Sequence, residues 1–283
     1  MLAVTAMWSM AGLVTRQLEQ ARSFEVTFWR SLFTLIALML ILPAWQGRHV
    51  FRQMPWRSPY FWLSGMCWNV MFTAFMVALT LTAVANVLIT LALGPLITAL
   101  LARITTGHPL PWRTWWAIGL AGMGIGWMFA SQIQLDSPGL AVGGLVAVCV
   151  PLAGAVQWSL VQRSQMRGLN LDLVPSVWLG AALSTLFTLP WAWPFQASAQ
   201  DIQWLAMLGV FQLAIPCVLS VLCAQVLKAA EVSLLALLEV VFGIGLAWYG
   251  AHEEPSQHML VGGTLVIGAL LMNELMSWRQ RHV

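Results

Sequence analysis

The feature that most constrains this chain is a succession of long apolar runs with almost no charge between them. The 13 Lys and Arg plus 10 Asp and Glu amount to 8% of 283 residues, whereas a soluble domain carries roughly 25% charged residues to build its solvated surface. With 60% hydrophobic residues and a mean hydropathy of +0.80, the composition excludes a soluble enzyme, a nucleic-acid binder and a disordered chain. A helix needs ~20 apolar residues to cross ~30 Å of hydrocarbon. The runs are continuous rather than alternating, which excludes a β-barrel.

Reading the runs between charge, Pro and Gly punctuation predicts an all-α membrane protein with ten transmembrane helices. They fall near 2–18, 24–46, 59–80, 84–104, 112–131, 139–162, 172–193, 202–225, 231–250 and 258–278. No basic n-region precedes the first run, since the first basic residue is Arg16, so the first span is expected to insert uncleaved. Trp45, Trp56, Trp62, Trp112, Trp115, Trp116, Trp191, Trp193, Trp204, Trp248 and Trp278 stand at span ends, where an amphipathic indole settles at headgroup level. Cys67, Cys149, Cys217 and Cys223 lie in apolar runs without metal-ligand spacing and are expected to be small buried hydrophobes.

Orientation follows from the basic residues of the short loops. With the N-terminus cytoplasmic, Arg48, Arg52, Arg57, Arg103, Arg113, Arg163, Arg167, Lys228, Arg279 and Arg281 are internal, 10 of the 13 basic residues. Glu19, Glu25, Asp136, Asp201, Glu253 and Glu254 are external. Both termini are then cytoplasmic, and the chain is a multi-pass protein of the cell (inner) membrane.

The two halves resemble each other. At an offset of 145, Ala85 meets Ala230, Val87 meets Val232, Leu93 meets Leu238 and Leu101 meets Leu246. After one residue of slippage, Gly119 meets Gly263 and Gly124 meets Gly268. Five spans per copy, an odd number, invert the second copy, and the basic turn TGHPLPWR opposes the acidic HEEPSQH as inversion requires. The expected units are 1–131 (first five-helix repeat), 132–138 (external linker) and 139–283 (second repeat with a short basic cytoplasmic tail). Inverted repeats about an axis in the membrane plane build secondary transporters, with the substrate site at the midplane between copies.

The segments LGPLITALLARITTGHPL and LEVVFGIGLAWYGAHEEP resemble the ends of the two halves of EamA-type members of the drug/metabolite transporter superfamily. The resemblance runs from Trp8 to Leu271. Its motifs are degenerate here: Gly107-His108 and Ala251-His252-Glu253 replace the usual Gly-Glu turns, and Val240 replaces a proline. The resemblance implies a ten-helix carrier that exports small metabolites or amino acids.

Polar groups in hydrocarbon are costly and face a bundle interior or a cavity. Glu239, midway along its span, is the carboxylate expected at depth and the proton-coupling candidate; a structural hydrogen bond is the competing reading. Trp8, Trp68, Asn69, Thr73, Thr90, Gln157, Trp158, Gln212 and Ser220 join Glu239 as candidate substrate-binding residues. Amides among indoles suit an amphipathic or aromatic solute, or a cation over an indole face. Arg30, Pro95, Pro151 and Pro216 are assigned gating or structural roles. Arg30, which matches an arginine common in the resembled family, is expected to snorkel toward Glu25 or Glu19, and the prolines to permit bending. Asn86 reads as a helix cap, and Lys228 with Glu231 as an interfacial pair. The glycines of 119–126 and 262–268 are expected to form scaffold or homodimer faces, with the cavity lined by spans 1, 3, 4, 6, 8 and 9.

No phosphate-loop or zinc-protease spacing occurs, so neither a metal nor a cofactor is expected, nor is ATP the direct driver. The partners expected are a small-molecule substrate and the bilayer, with no nucleic acid. The leading function is a secondary transporter, an exporter working by alternating access and open to proton coupling. The alternatives are an integral membrane enzyme and a non-transporting scaffold or sensor.

Overall fold

The computed structural model describes every residue except Arg22, 107–111, 135–137, Asn170, Lys228, 252–255 and 282–283. The Lys228 pairing, most of the two charged turns and the centre of the 132–138 linker thus lie outside the described residues. Among those described there is no strand. The helices are α1 (Leu2–Trp8), α2 (Met10–Thr15), α3 (Ser23–Gln46), α4 (Val50–Gln53), α5 (Pro59–Leu81), α6 (Val84–Leu91), α7 (Gly94–Thr106), α8 (Trp112–Gln134), α9 (Pro138–Met166), α10 (Ser176–Ala192), α11 (Ala199–Met207), α12 (Ile215–Val226), α13 (Ala229–Ala251) and α14 (Gln257–Arg281). A π-helical segment, Leu208–Ala214, joins α11 to α12.

Among the described residues, six stretches are long and apolar enough to cross a membrane: Phe24–Gln46, Pro59–Leu81, Val84–Leu101, Val142–Met166, Ala199–Val226 and Glu231–Gly250. Leu2–Thr15, Ser176–Ala192 and Gln257–Ala269 are shorter apolar helices. The chain is a multi-pass membrane protein.

Three expected spans are interrupted. The first breaks at Ser9, where the hydroxyls of Thr5 and Ser9 donate to the carbonyls of Leu2 and Ala6 at 2.9 and 2.7 Å; such side chains compete with the helix for its own acceptors. The fourth breaks at Ala92–Leu93, just before Gly94-Pro95, because a proline ring collides with the carbonyl four residues back and brings no N–H. The eighth widens into the π-helical turn ahead of Pro216. Asn86 lies within α6 rather than at its cap, its amide donating to Thr82 Oγ1 at 3.2 Å.

Lipid tails are as apolar as leucine, so helices in a bilayer associate through close packing and interhelical hydrogen bonds. Ser31 and Ser184 hydroxyls meet at 2.9 Å between α3 and α10. Ser64 of α5 donates to Gln157 of α9 at 2.8 Å and meets Ser176 of α10 at 2.6 Å. α8 and α14 pack against each other, and a Cβ at Gly124 would come within 2.7 Å of the Gly262 carbonyl, so the glycine sets that approach. Of the cysteines, Cys67 and Cys217 are buried and Cys223 is half-buried, but Cys149 is exposed on α9. Apolar sequence alone does not separate a core face from a lipid face. Trp45, Trp56, Trp62, Trp112, Trp115, Trp116, Trp191, Trp193 and Trp248 are exposed, as interfacial indoles require.

The buried apolar residues form two clusters. One contains Phe75, Val87, Val150 and Val240; the other contains Trp68, Phe72, Trp158 and Cys217. The main cavity opens between them, since it is lined by members of both.

Candidate functional site

The cavity measures about 120 Å³ and draws one wall from each of several interrupted or bent helices. Trp8 enters from the break between α1 and α2, and Leu91 and Gly94 from the break between α6 and α7. Pro151 and Gly154 come from the middle of α9, and Gln212 from the π-helical turn. Breaks and π-turns bring backbone and polar groups to a surface that a regular helix would fill with apolar side chains.

Five aromatic rings shape the walls. Trp68, Phe72 and Phe75 rise along one face of α5, and Trp8 and Trp158 face them. Trp68 meets Trp158 edge-to-face with centroids 5.9 Å apart and an interplanar angle of 82°. The Trp68 indole N–H, although buried, has no hydrogen-bond partner among the described residues.

Arg30 does not snorkel to the interface. It is 1% exposed and turns inward, where Nη1 donates to Gln212 Oε1 at 3.2 Å and Nη2 to the Phe72 carbonyl at 2.9 Å. Its guanidinium carbon lies 5.9 Å from the Phe75 ring centroid, and Nε lacks a partner. Gly209 makes this placement feasible, because a Cβ there would lie 2.8 Å from the Arg30 carbonyl, and the Thr34 hydroxyl clamps the contact by donating to the Gly209 carbonyl at 3.0 Å. Gln212 completes the chain by donating to the Trp8 carbonyl at 3.4 Å. The partners of this buried cation among the described residues are therefore neutral.

Glu239 comes to the same cavity from α13, 8% exposed and without a hydrogen-bond partner among the described residues. Cys217 lines the same cavity as Arg30 and Glu239. The arrangement brings a guanidinium, a carboxyl and aromatic surface to one cavity.

Of the candidate residues, Trp8, Trp68, Trp158, Gln212 and Glu239 line this cavity, as do Arg30 and Pro151. Asn69, Thr73, Thr90, Gln157 and Ser220 do not. Thr73 bonds to Asn69 and Ser184 at 3.4 and 3.0 Å, in a polar seam between α5 and α10. Gln157 accepts from Ser64, while Thr90 and Ser220 donate to the carbonyls of Asn86 and Cys217 in their own helices. Pro95 and Pro216 stand beside the helix breaks without facing the cavity. The sequence reading missed Phe72, Phe75, Thr98, Cys217 and Ser233. The spacing of 68, 71, 72 and 75 is one helical face and could have extended the Trp68 wall. Among the described residues, none of α8 or α14 lines the cavity.

The model of the EamA-like transporter family matches residues 1–130 and 143–274. No curated protein matches the sequence. A solved crystal structure, described only as that of a protein, superposes with a TM-score of 0.66 at 17% identity, covering 97% of this chain and 96% of that one. It shares the fold across both full lengths. The match over nearly the whole chain places this protein in the EamA-like transporter family of the drug/metabolite transporter superfamily.

Proposed function

We propose that the protein is a secondary transporter, an exporter of small zwitterionic metabolites such as amino acids, working by alternating access. The observation that carries this reading is one cavity holding a buried guanidinium whose partners among the described residues are neutral and a carboxyl that has none among them. Unpaired charge at depth is retained where it serves a pathway or a ligand. A substrate carboxylate satisfies the free capacity of Arg30, an ammonium group faces Glu239, and an apolar or aromatic body lies against Trp8, Trp68 and Trp158. Gln212 holds Arg30 in register. Glu239 is also the group through which proton exchange could be coupled to transport.

The architecture in this proposal is ten spans in two inverted five-helix repeats, 1–131 and 139–283, with both termini cytoplasmic. The family model matching two stretches of nearly equal length supports the repeat. The packing of α8 with α14 away from the cavity supports their scaffold role. The test is thermal stabilisation of the purified protein across a panel of metabolites. Stabilisation by amino acids, lost when either the carboxylate or the amine is blocked, is the expected result. Equal stabilisation by the blocked forms would refute zwitterion recognition.

A further inference from the structure

Gly12, Gly65, Gly180 and Gly209 are buried glycines that serve packing. An added Cβ at these positions would run into the side chains of Val84, Leu179, Trp68 and Phe33 respectively, so each lets two helices close. Gly154, near the middle of α9, is different. It is buried and lines the main cavity, yet an added Cβ would meet only Met71 Sδ at 3.6 Å and Trp158 Nε1 at 3.8 Å, ordinary contact distances. Among the described residues, then, no helix approach depends on its missing side chain. The notch it leaves belongs to the cavity.

A hydrogen-bond donor borders this notch. Side chains on a helix lean toward its N-terminus, over the turn before them, and the Trp158 indole accordingly brings Nε1 next to Gly154. Trp158 is 6% exposed, and its N–H has no hydrogen-bond partner among the described residues. Trp68, whose ring meets that of Trp158 edge-to-face, contributes a second buried N–H without a partner. An indole N–H can only donate, and a donor held away from water without an acceptor is costly. Both rings line the cavity, so the cavity's occupant is placed to supply the acceptor.

We propose that the notch over Gly154 is a specificity subsite, in which an oxygen on the body of the transported solute accepts a hydrogen bond from Trp158 Nε1. Trp68 packs against the Trp158 ring and holds it in place. The proposal rests on the reading of the cavity as a zwitterion site. With the carboxylate at Arg30 and the ammonium at Glu239, the oxygen has to come from the side chain, as a hydroxyl or a carboxamide. A solute of the same shape with a methyl group there leaves the N–H unpaired. Sites built to bond a hydroxyl reject the analogue that lacks it for this reason.

The experiment compares threonine with valine, and asparagine with leucine, as ligands of the purified full chain, with affinities read from thermal stabilisation. The member of each pair that carries the oxygen is expected to bind about ten-fold more tightly, the worth of one hydrogen bond. Gly154→Ala adds a methyl group that meets no atom closer than 3.6 Å and replaces a helix-interior glycine by a better helix former, so the variant should fold. Its methyl fills the notch, and the preference should fall to about one-fold. Trp158→Phe keeps a ring, removes the N–H and should do the same; if it does not fold, Gly154→Ala carries the test. Equal affinities within the pairs for the unmodified chain overturn the subsite and leave the indole to water, as does a preference that Gly154→Ala does not change. Methyl esters of the same amino acids separate this from the zwitterion reading. Free acids that outbind their esters without any preference within the pairs keep the zwitterion and remove the subsite. Esters that bind as well as the free acids, with the preference intact, remove the zwitterion and keep the Trp158 donor. Binding of none of these ligands overturns both.

Discussion

Glu25 and Asp201 each grip the loop that precedes the other's helix. Glu25, in the first turn of α3, accepts from the backbone N–H of Gln196 and Ala197, both at 2.8 Å. Asp201, in the first turn of α11, accepts from Glu19, Gln20 and Ala21 at 3.0, 3.1 and 3.2 Å. Asp201 also completes a capping box with Ser198. Both side chains are fully buried, so two carboxylates that read as loop charges in the sequence lock distant segments together. On the same side, Arg16 Nη2 donates to the Thr82 carbonyl at 3.0 Å at the end of α5, where the helix dipole favours a cation.

Replacing Asp201 with Ala leaves the three amides of residues 19–21 without their acceptor. A hydrogen bond to a charged group contributes about 1.5–3 kcal/mol net of its exchange with water; the freed amides can regain water in the variant, so a loss of about 2–3 kcal/mol is expected. Glu19→Ala is the control, because Glu19 contributes its backbone and not its side chain to the contact. Unfolding midpoints in detergent check this. Equal midpoints for the two variants would contradict the latch.

Arg30→Lys keeps the positive charge but cannot reach Gln212 and the Phe72 carbonyl at once, because an ammonium lacks the planar fork. Loss of one charge-assisted hydrogen bond corresponds to about ten-fold or more in substrate affinity. Uptake into everted vesicles and ligand-induced stabilisation measure it. Unchanged affinity would make Arg30 a packing residue.

Glu239→Gln preserves shape and removes titration. The variant is expected to fold, to lose transport driven by a pH gradient and to keep substrate exchange without a gradient. An unaltered pH profile would assign Glu239 a structural role. Should the substitution impair folding, Glu239→Asp keeps the carboxyl, and a displaced pH profile is then the result expected. Loss of binding at every pH points instead to contact with the substrate ammonium.

The topology is checked by labelling. A cysteine at position 52 and tags at both termini should react only from the cytoplasm, and a cysteine at position 256 only from outside. External labelling of position 52 would discard both the span count and the inverted repeat.

What the sequence determined by itself is the membrane class, the helical secondary structure, the family and the deep position of Glu239. All four follow from local quantities: charge density, run length, motif and distance along a span. The tertiary structure decided which polar residues share a cavity. Asn69, Gln157 and Gln212 are equivalent as amides in apolar runs, yet only Gln212 reaches the site, because the π-helical turn and Gly209 aim it at Arg30. Arg30 itself could extend toward the interface or inward. The Phe72 carbonyl and Gln212, 42 and 182 residues away along the chain, hold it inward. Such choices rest on contacts between distant segments, for which spacing along one helix carries no signal.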